Sequence, residues 1–96
     1  MMVLITYDVN TQTESGKKRL AKIAKQCVNY GQRVQYSVFE CILDPALFTK
    51  LKHKLESIID KDTDSLRYYY LGDDWRQHVE HVGAKKALDI EGTLIA

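Results

Sequence analysis

Only two cysteines, Cys27 and Cys41, occur among the 96 residues, and no CxxC spacing joins them. That excludes a disulfide framework and a zinc knuckle; the expected state is two reduced, buried thiols in a cytoplasmic protein. Long apolar runs are equally scarce. The longest are strand-sized pieces such as residues 2–6, too short to cross a bilayer. The opening MMVLITYDVN has neither a basic n-region nor a small-residue cleavage site, which predicts no signal peptide. Internal repeats and low-complexity stretches are absent. So are a glycine-rich phosphate loop, a GxSxG elbow and a Cys–His pair in usable context.

What is present is ordinary globular composition, 45% hydrophobic and 28% charged, which argues against disorder. A chain of 11.1 kDa fits one domain. Such a domain buries only roughly 60–65% of its unfolded surface, so a second copy would help it. The net charge of +1 conceals an asymmetry. Residues 1–55 hold nine Lys/Arg against four acids, and residues 56–96 hold five against nine. The basic half offers a surface to a polyanion, or else is only a solvated helix face.

Periodicity orders the chain. Residues 2–9 read as a strand, with Val3, Ile5, Tyr7 and Val9 on one face and Met2, Leu4, Thr6 and Asp8 on the other. Both faces are largely apolar, as in a central strand covered on both sides. Residues 17–30 read as a helix with Leu20, Ile23, Ala24 and Cys27 on one stripe and Lys17, Lys18, Arg19, Lys22 and Lys25 around the rest. Gly31 should end it in the left-handed conformation. Residues 34–43 read as a second strand. Asp44-Pro45 marks a helix start, followed by the stripe Leu47, Phe48, Leu51, Leu55, Ile58 and Ile59. Residues 65–71 form a tyrosine-rich strand. Residues 72–74 read as a turn, and residues 75–82 alternate weakly as a last strand.

Read literally, the order is βαβαββ. A bend or bulge splitting residues 32–43 would convert it to the βαββαβ of a ferredoxin-like domain plus one strand. Either way the fold class is α+β, an antiparallel sheet with two helices on one face. The other face then needs a cover, which predicts a homodimer. The domain should span residues 1–82, with 83–96 as a tail.

Asp8 is the sharpest chemical candidate. A carboxylate at the rim of a central strand suits a hard divalent cation such as magnesium. The alternative is that Asp8 and Asn10 hydrogen-bond the following loop. One carboxylate is few for metal-dependent phosphodiester hydrolysis, so such a site would form where two chains meet at a two-fold axis. Glu14 and Glu40 are the nearest other acids in this half. His78, Glu80 and His81 do not make a shared metal site, because residues 78 and 81 of a strand face opposite ways. Tyr68 and Tyr70 suit packing better than base stacking.

Three segments together resemble the CRISPR-associated protein 2 family: VLITYDVN at 3–10, GKKRLAKIAK at 16–25 and GQRVQYSVFEC at 31–41. The specific feature is a strand ending in Tyr-Asp combined with a later Gln-x-Ser-Val-Phe-Glu. DSLRYYYLG at 64–72 and VEHVGAKKALDIEG at 79–92 further resemble members from type I-C systems. The resemblance implies a ferredoxin-like homodimer whose last strand packs on the partner's sheet. It implies a magnesium-dependent nuclease (manganese being the other candidate ion) acting on single-stranded RNA or double-stranded DNA. It also implies a bridging role between spacer integrase subunits on DNA. The family's metal-binding aspartate matches Asp8 and its adjacent tyrosine Tyr7. Its basic positions match Lys17, Arg19 and Arg33, and its phenylalanine matches Phe39, with Ser37 in the same supporting motif. Lys17 stands where many members carry arginine, which gives up bidentate phosphate contact.

Four functions compete at this point: a metal-dependent endonuclease at Asp8, a non-catalytic DNA-bridging adaptor, a small dimeric toxin-type ribonuclease, and a regulatory module binding a small ligand. The basic first half disfavours the last, and Gln-x-Ser-Val-Phe-Glu the third.

Overall fold

A computed structural model describes residues 1–71 and 79–84. The elements run β1 (Met2–Asp8), α1 (Glu14–Tyr30), β2 (Gln32–Gln35), β3 (Val38–Ile42), α2 (Pro45–Ile58), β4 (Ser65–Leu71) and β5 (Val79–Gly83). They build one antiparallel sheet in the order β2-β3-β1-β4-β5. The order is the βαββαβ of a ferredoxin-like sandwich with β5 added at an edge, because the run expected as one strand at 34–43 is a hairpin. Gln35 pairs with Val38 across Tyr36-Ser37, and the register slips between Arg33 and Gln35. That slip is a bulge at Val34.

The core lies between the sheet and the two helices. Val3, Ile5 and Tyr7 of β1, Phe39 and Cys41 of β3, and Leu66 and Tyr68 of β4 meet Ile23 and Cys27 of α1 and Phe48, Leu51 and Leu55 of α2. Phe48 meets the rings of Tyr68 and Tyr70 edge-on, each at 5.6 Å between centroids. Cys27 and Cys41 are both free and buried. Burial pushes the Cys27 thiol up to about 12, which makes it unreactive.

Asp44 caps α2 as its sequence indicates, its carboxylate accepting from the Leu47 N–H at 2.8 Å, with proline in the first turn. Helix α1 begins three residues earlier than its apolar stripe suggests, because Thr13 caps it through the Gly16 N–H at 3.0 Å. Gly31 differs from expectation. Its backbone is extended, with φ −155. Glycine is needed there for closeness instead: a Cβ would strike the Cys41 sulfur and lie 2.7 Å from the Glu40 carbonyl oxygen.

Of the expected last strand at 75–82, residues from Val79 onward lie in β5, while 75–78 and the turn at 72–74 fall outside the described residues. So do 85–96 of the tail. Glu80 and His81 point to opposite sheet faces. Glu80 binds Lys52 of α2 at 2.7 Å, and His81 accepts from Arg67 on β4 at 3.1 Å. Among the described residues, no helix is long and apolar enough to cross a membrane.

Candidate functional site

Three chain segments converge at one end of the sheet. Strand β1 finishes there at Asp8, which is exposed. Thr6 pairs with Val38 and the Tyr7 N–H donates to the Ser37 carbonyl at 3.1 Å, so the hairpin tip Tyr36-Ser37 stands level with Tyr7 and Asp8. Helix α1 starts after a short loop, and its side from Lys17 onward lies at the same place. The result is an open cleft of about 480 Å³ lined by Tyr7, Asp8, Lys17, Arg33, Tyr36 and Ser37, with Leu20, Ala21 and Ala24 along its helical wall.

Five of the seven residues singled out in the sequence therefore share one cleft. Phe39 lies beneath it. Its buried ring stacks on Tyr7 at 6.1 Å and carries the Arg33 guanidinium 5.0 Å above its centroid. A cation over an aromatic face is held by the ring quadrupole. Phe39 thus sets the height of both Tyr7 and Arg33. Burial raises the Tyr7 phenol above its ordinary value, an effect that the nearby Arg33 charge only partly offsets. Tyr7 therefore stays protonated at neutral pH and donates to the Tyr36 carbonyl at 3.3 Å.

Arg19 is placed elsewhere. Residues two apart on an α-helix are about 200° apart around its axis, so Lys17 and Arg19 cannot share a face. Arg19 instead donates through Nε to Asp64 at 2.8 Å, and through its terminal nitrogens to Asp64 at 3.4 Å and to Ser15 at 3.3 Å. Lys17 pairs with Glu14, at 3.5 Å on the exposed surface. A pair of that kind contributes little and yields readily to a phosphate.

Asp64 is the residue that sequence reading missed. It is fully buried, yet it accepts from the backbone N–H groups of Asn10 and Asp60 at 3.0 and 2.9 Å, and from Thr63 and Arg19. Burial would push its carboxyl up; the Arg19 bond and the two backbone bonds outweigh that and hold it below the usual carboxylate range. Asp64 thereby fastens the loop that follows Asp8 to α1 and to the start of β4. Gly16 assists, since a Cβ there would run into the Asn10 carbonyl. Asn10 itself makes the expected local turn, accepting from the Gln12 N–H at 3.0 Å. Nothing in the segment KDTD at 61–64 separates Asp64 from its solvated neighbours in the sequence.

Asp8 is, among the described residues, the only carboxylate lining this cleft. Among the described residues, no three His, Cys, Asp or Glu side chains gather as a metal site. The cleft is basic through Lys17 and Arg33, with one acidic group at its rim.

The sheet order and the two helices on one face define a ferredoxin-like α+β protein with a basic cleft at one sheet end. The family described as CRISPR associated protein Cas2 matches residues 1–79, and the chain belongs to that family. It is 62% identical over 95 residues to a CRISPR-associated endoribonuclease Cas2 of Nitratidesulfovibrio vulgaris, covering 99% of this chain and 93% of that one. It is 58% identical over 95 residues to a CRISPR-associated endonuclease Cas2 of Halalkalibacterium halodurans, covering 99% of each. The crystal structure of Streptococcus pyogenes Cas2 at pH 6.5 superposes with a TM-score of 0.70 at 60% identity, covering 86% of this chain and all of that one.

Proposed function

We propose that this CRISPR protein is a homodimeric, magnesium-dependent endonuclease of the cytoplasm, cutting phosphodiesters of RNA or double-stranded DNA at a site built on Asp8. In the same reading the dimer bridges spacer integrase subunits on DNA during adaptation. One observation carries the catalytic part: a single cleft holds one carboxylate beside two cations and a protonated phenol.

The donor set fits a hard cation. Magnesium is commonly held by one or two carboxylates together with substrate phosphates and water, and manganese accepts the same oxygen ligands. Asp8 would supply one carboxylate and Asp8 of a second copy the other. The chemistry such a cation would supply there is neutralisation of phosphate charge and a more acidic water. Lys17 and Arg33 hold the phosphates flanking the scissile bond. Tyr7 fixes the hairpin tip and is a proton donor, not a base. Arg19 supports the site through Asp64.

The non-catalytic adaptor is the second reading, favoured by the cleft's single carboxylate. The two are separated by assaying wild type and Asp8→Asn on RNA and duplex DNA, with magnesium and with chelator, beside spacer acquisition in cells. The nuclease reading expects Asp8→Asn to fold, dimerise and bind nucleic acid while cleavage disappears. Undiminished cleavage by Asp8→Asn sinks the site. Absence of cleavage in both proteins, with acquisition intact in both, establishes the adaptor.

A further inference from the structure

Tyr36 is 93% exposed, the most exposed large apolar side chain among the described residues. An aromatic ring left in water adds nothing to the core, so its presence at a hairpin apex calls for a reason. The local rules make it stranger. Two-residue hairpin loops favour Asn or Gly, because the turns that match strand twist need positive φ. Here neither Tyr36 nor Ser37 has positive φ, and the neighbouring bulge at Val34 absorbs the mismatch in twist. A hairpin that departs from its preferred turn chemistry to display a tyrosine is the kind of local conflict found at functional positions.

The surroundings identify the ligand chemistry. Tyr36 lines two clefts. One is the Asp8 cleft; the other, of about 560 Å³, lies along the exposed edge of β2. Arg33, Tyr36 and Ser37 line both, and Lys17 lines the first. The ring thus stands beside Arg33, the cation common to both clefts, with Lys17 in the first, while the Tyr36 backbone is tethered through its carbonyl to the Tyr7 hydroxyl. A single strand alternates flat bases with phosphates at this scale. In a duplex the base faces are already stacked and cannot reach the ring.

We infer that Tyr36 is a stacking platform for one unpaired base, with the flanking phosphates lying in the two clefts, so that the site prefers single-stranded segments. This rests on the reading that the Asp8 cleft takes nucleic acid.

The test measures binding in chelator, so that cleavage plays no part. Full-length wild type, Tyr36→Ala and Tyr36→Phe are titrated against a single-stranded RNA, the same strand carrying abasic sites, and a duplex of equal length. Sedimentation of each protein runs alongside. Tyr36→Ala should lose roughly 5- to 150-fold in single-strand affinity, the range that base–aromatic stacking provides, with little change on duplex. Tyr36→Phe should bind as wild type. Abasic sites should bring wild type down to the Tyr36→Ala level and leave Tyr36→Ala unmoved. Equal losses on strand and duplex, no loss, or a loss that tracks dissociation of the dimer would each overturn the stacking role. Wild type that binds duplex yet shows no Tyr36 effect defeats this inference alone, whereas wild type that binds neither ligand defeats the nucleic-acid reading as well.

Discussion

At the scale of single residues, Asp64 and His81 both tie the stability of this protein to pH, and they do so in the same direction. Asp64 has its carboxyl lowered in the folded state, so its contribution is present above the ordinary carboxylate value and lost as pH falls through the folded one. His81 is lowered from 6.5 by burial and by the Arg67 charge. Its geometry requires the neutral ring. Nδ1 accepts from Arg67 Nε, which leaves the Nε2 hydrogen to donate to the Gly83 carbonyl at 3.2 Å. The unfolded chain therefore binds the proton first, and stability falls as pH drops below about 6.5. Thermal melts should decline from pH 7 to pH 5 in wild type and flatten over that interval in His81→Gln. Asp64→Ala strips acceptors from two backbone N–H groups and abandons the Arg19 guanidinium. It should cost at least about 2 kcal/mol in denaturant unfolding. Of the seven residues chosen from the sequence, Arg19 alone is fully engaged away from the cleft. Its partner lies 45 positions later, a pairing that periodicity cannot reveal.

At the scale of elements, the sequence was readable wherever one face is apolar and the ends carry capping chemistry. Helix α2 has both, through Asp44-Pro45 and the Phe48, Leu51, Leu55 stripe, and it stands where expected. Asp44→Ala should lower stability by about 1 kcal/mol, the usual worth of an N-cap. The hairpin β2–β3 was unreadable as a break for a physical reason. Val34, Tyr36, Val38 and Phe39 all favour strands, and no glycine, asparagine or proline marks the turn. Gly31 was recognised as a boundary but for the wrong cause. Its role is to let the chain pass against Cys41 and the Glu40 carbonyl as it enters β2. Gly31→Ala should therefore destabilise by roughly 1–3 kcal/mol, as overpacking does. It should also loosen Arg33 one step along the strand. Paired measurement of unfolding and of nucleic-acid affinity checks both effects. A purely conformational role for glycine would leave the affinity of the folded fraction unchanged.

At the scale of the whole molecule, the helices cover only one sheet face. The other carries Met2, Leu4 and Val38, half-buried, and Ile42, which is 71% exposed. A charged side chain at Leu4 or Ile42 should weaken self-association in sedimentation if that face is the subunit contact. Asp8 sits at the end of the same face as Leu4 and Thr6, because successive β residues alternate sides. The face without a helix and the cleft with its one described carboxylate are thus neighbours, and one symmetric contact would cover the first and bring a second Asp8 to the other. The consequence can be measured with the proteins already described. Wild type is mixed with increasing Asp8→Asn and allowed to exchange subunits. If each site needs Asp8 from both chains, the cleavage per wild-type chain falls in proportion to the wild-type fraction, reaching about half in an equal mixture, because random pairing leaves that share in intact dimers. If each chain cuts with its own Asp8, the cleavage per wild-type chain stays constant at every ratio. Adding Tyr36→Ala in place of Asp8→Asn supplies the control, since a defect in strand binding leaves both carboxylates in every mixed dimer.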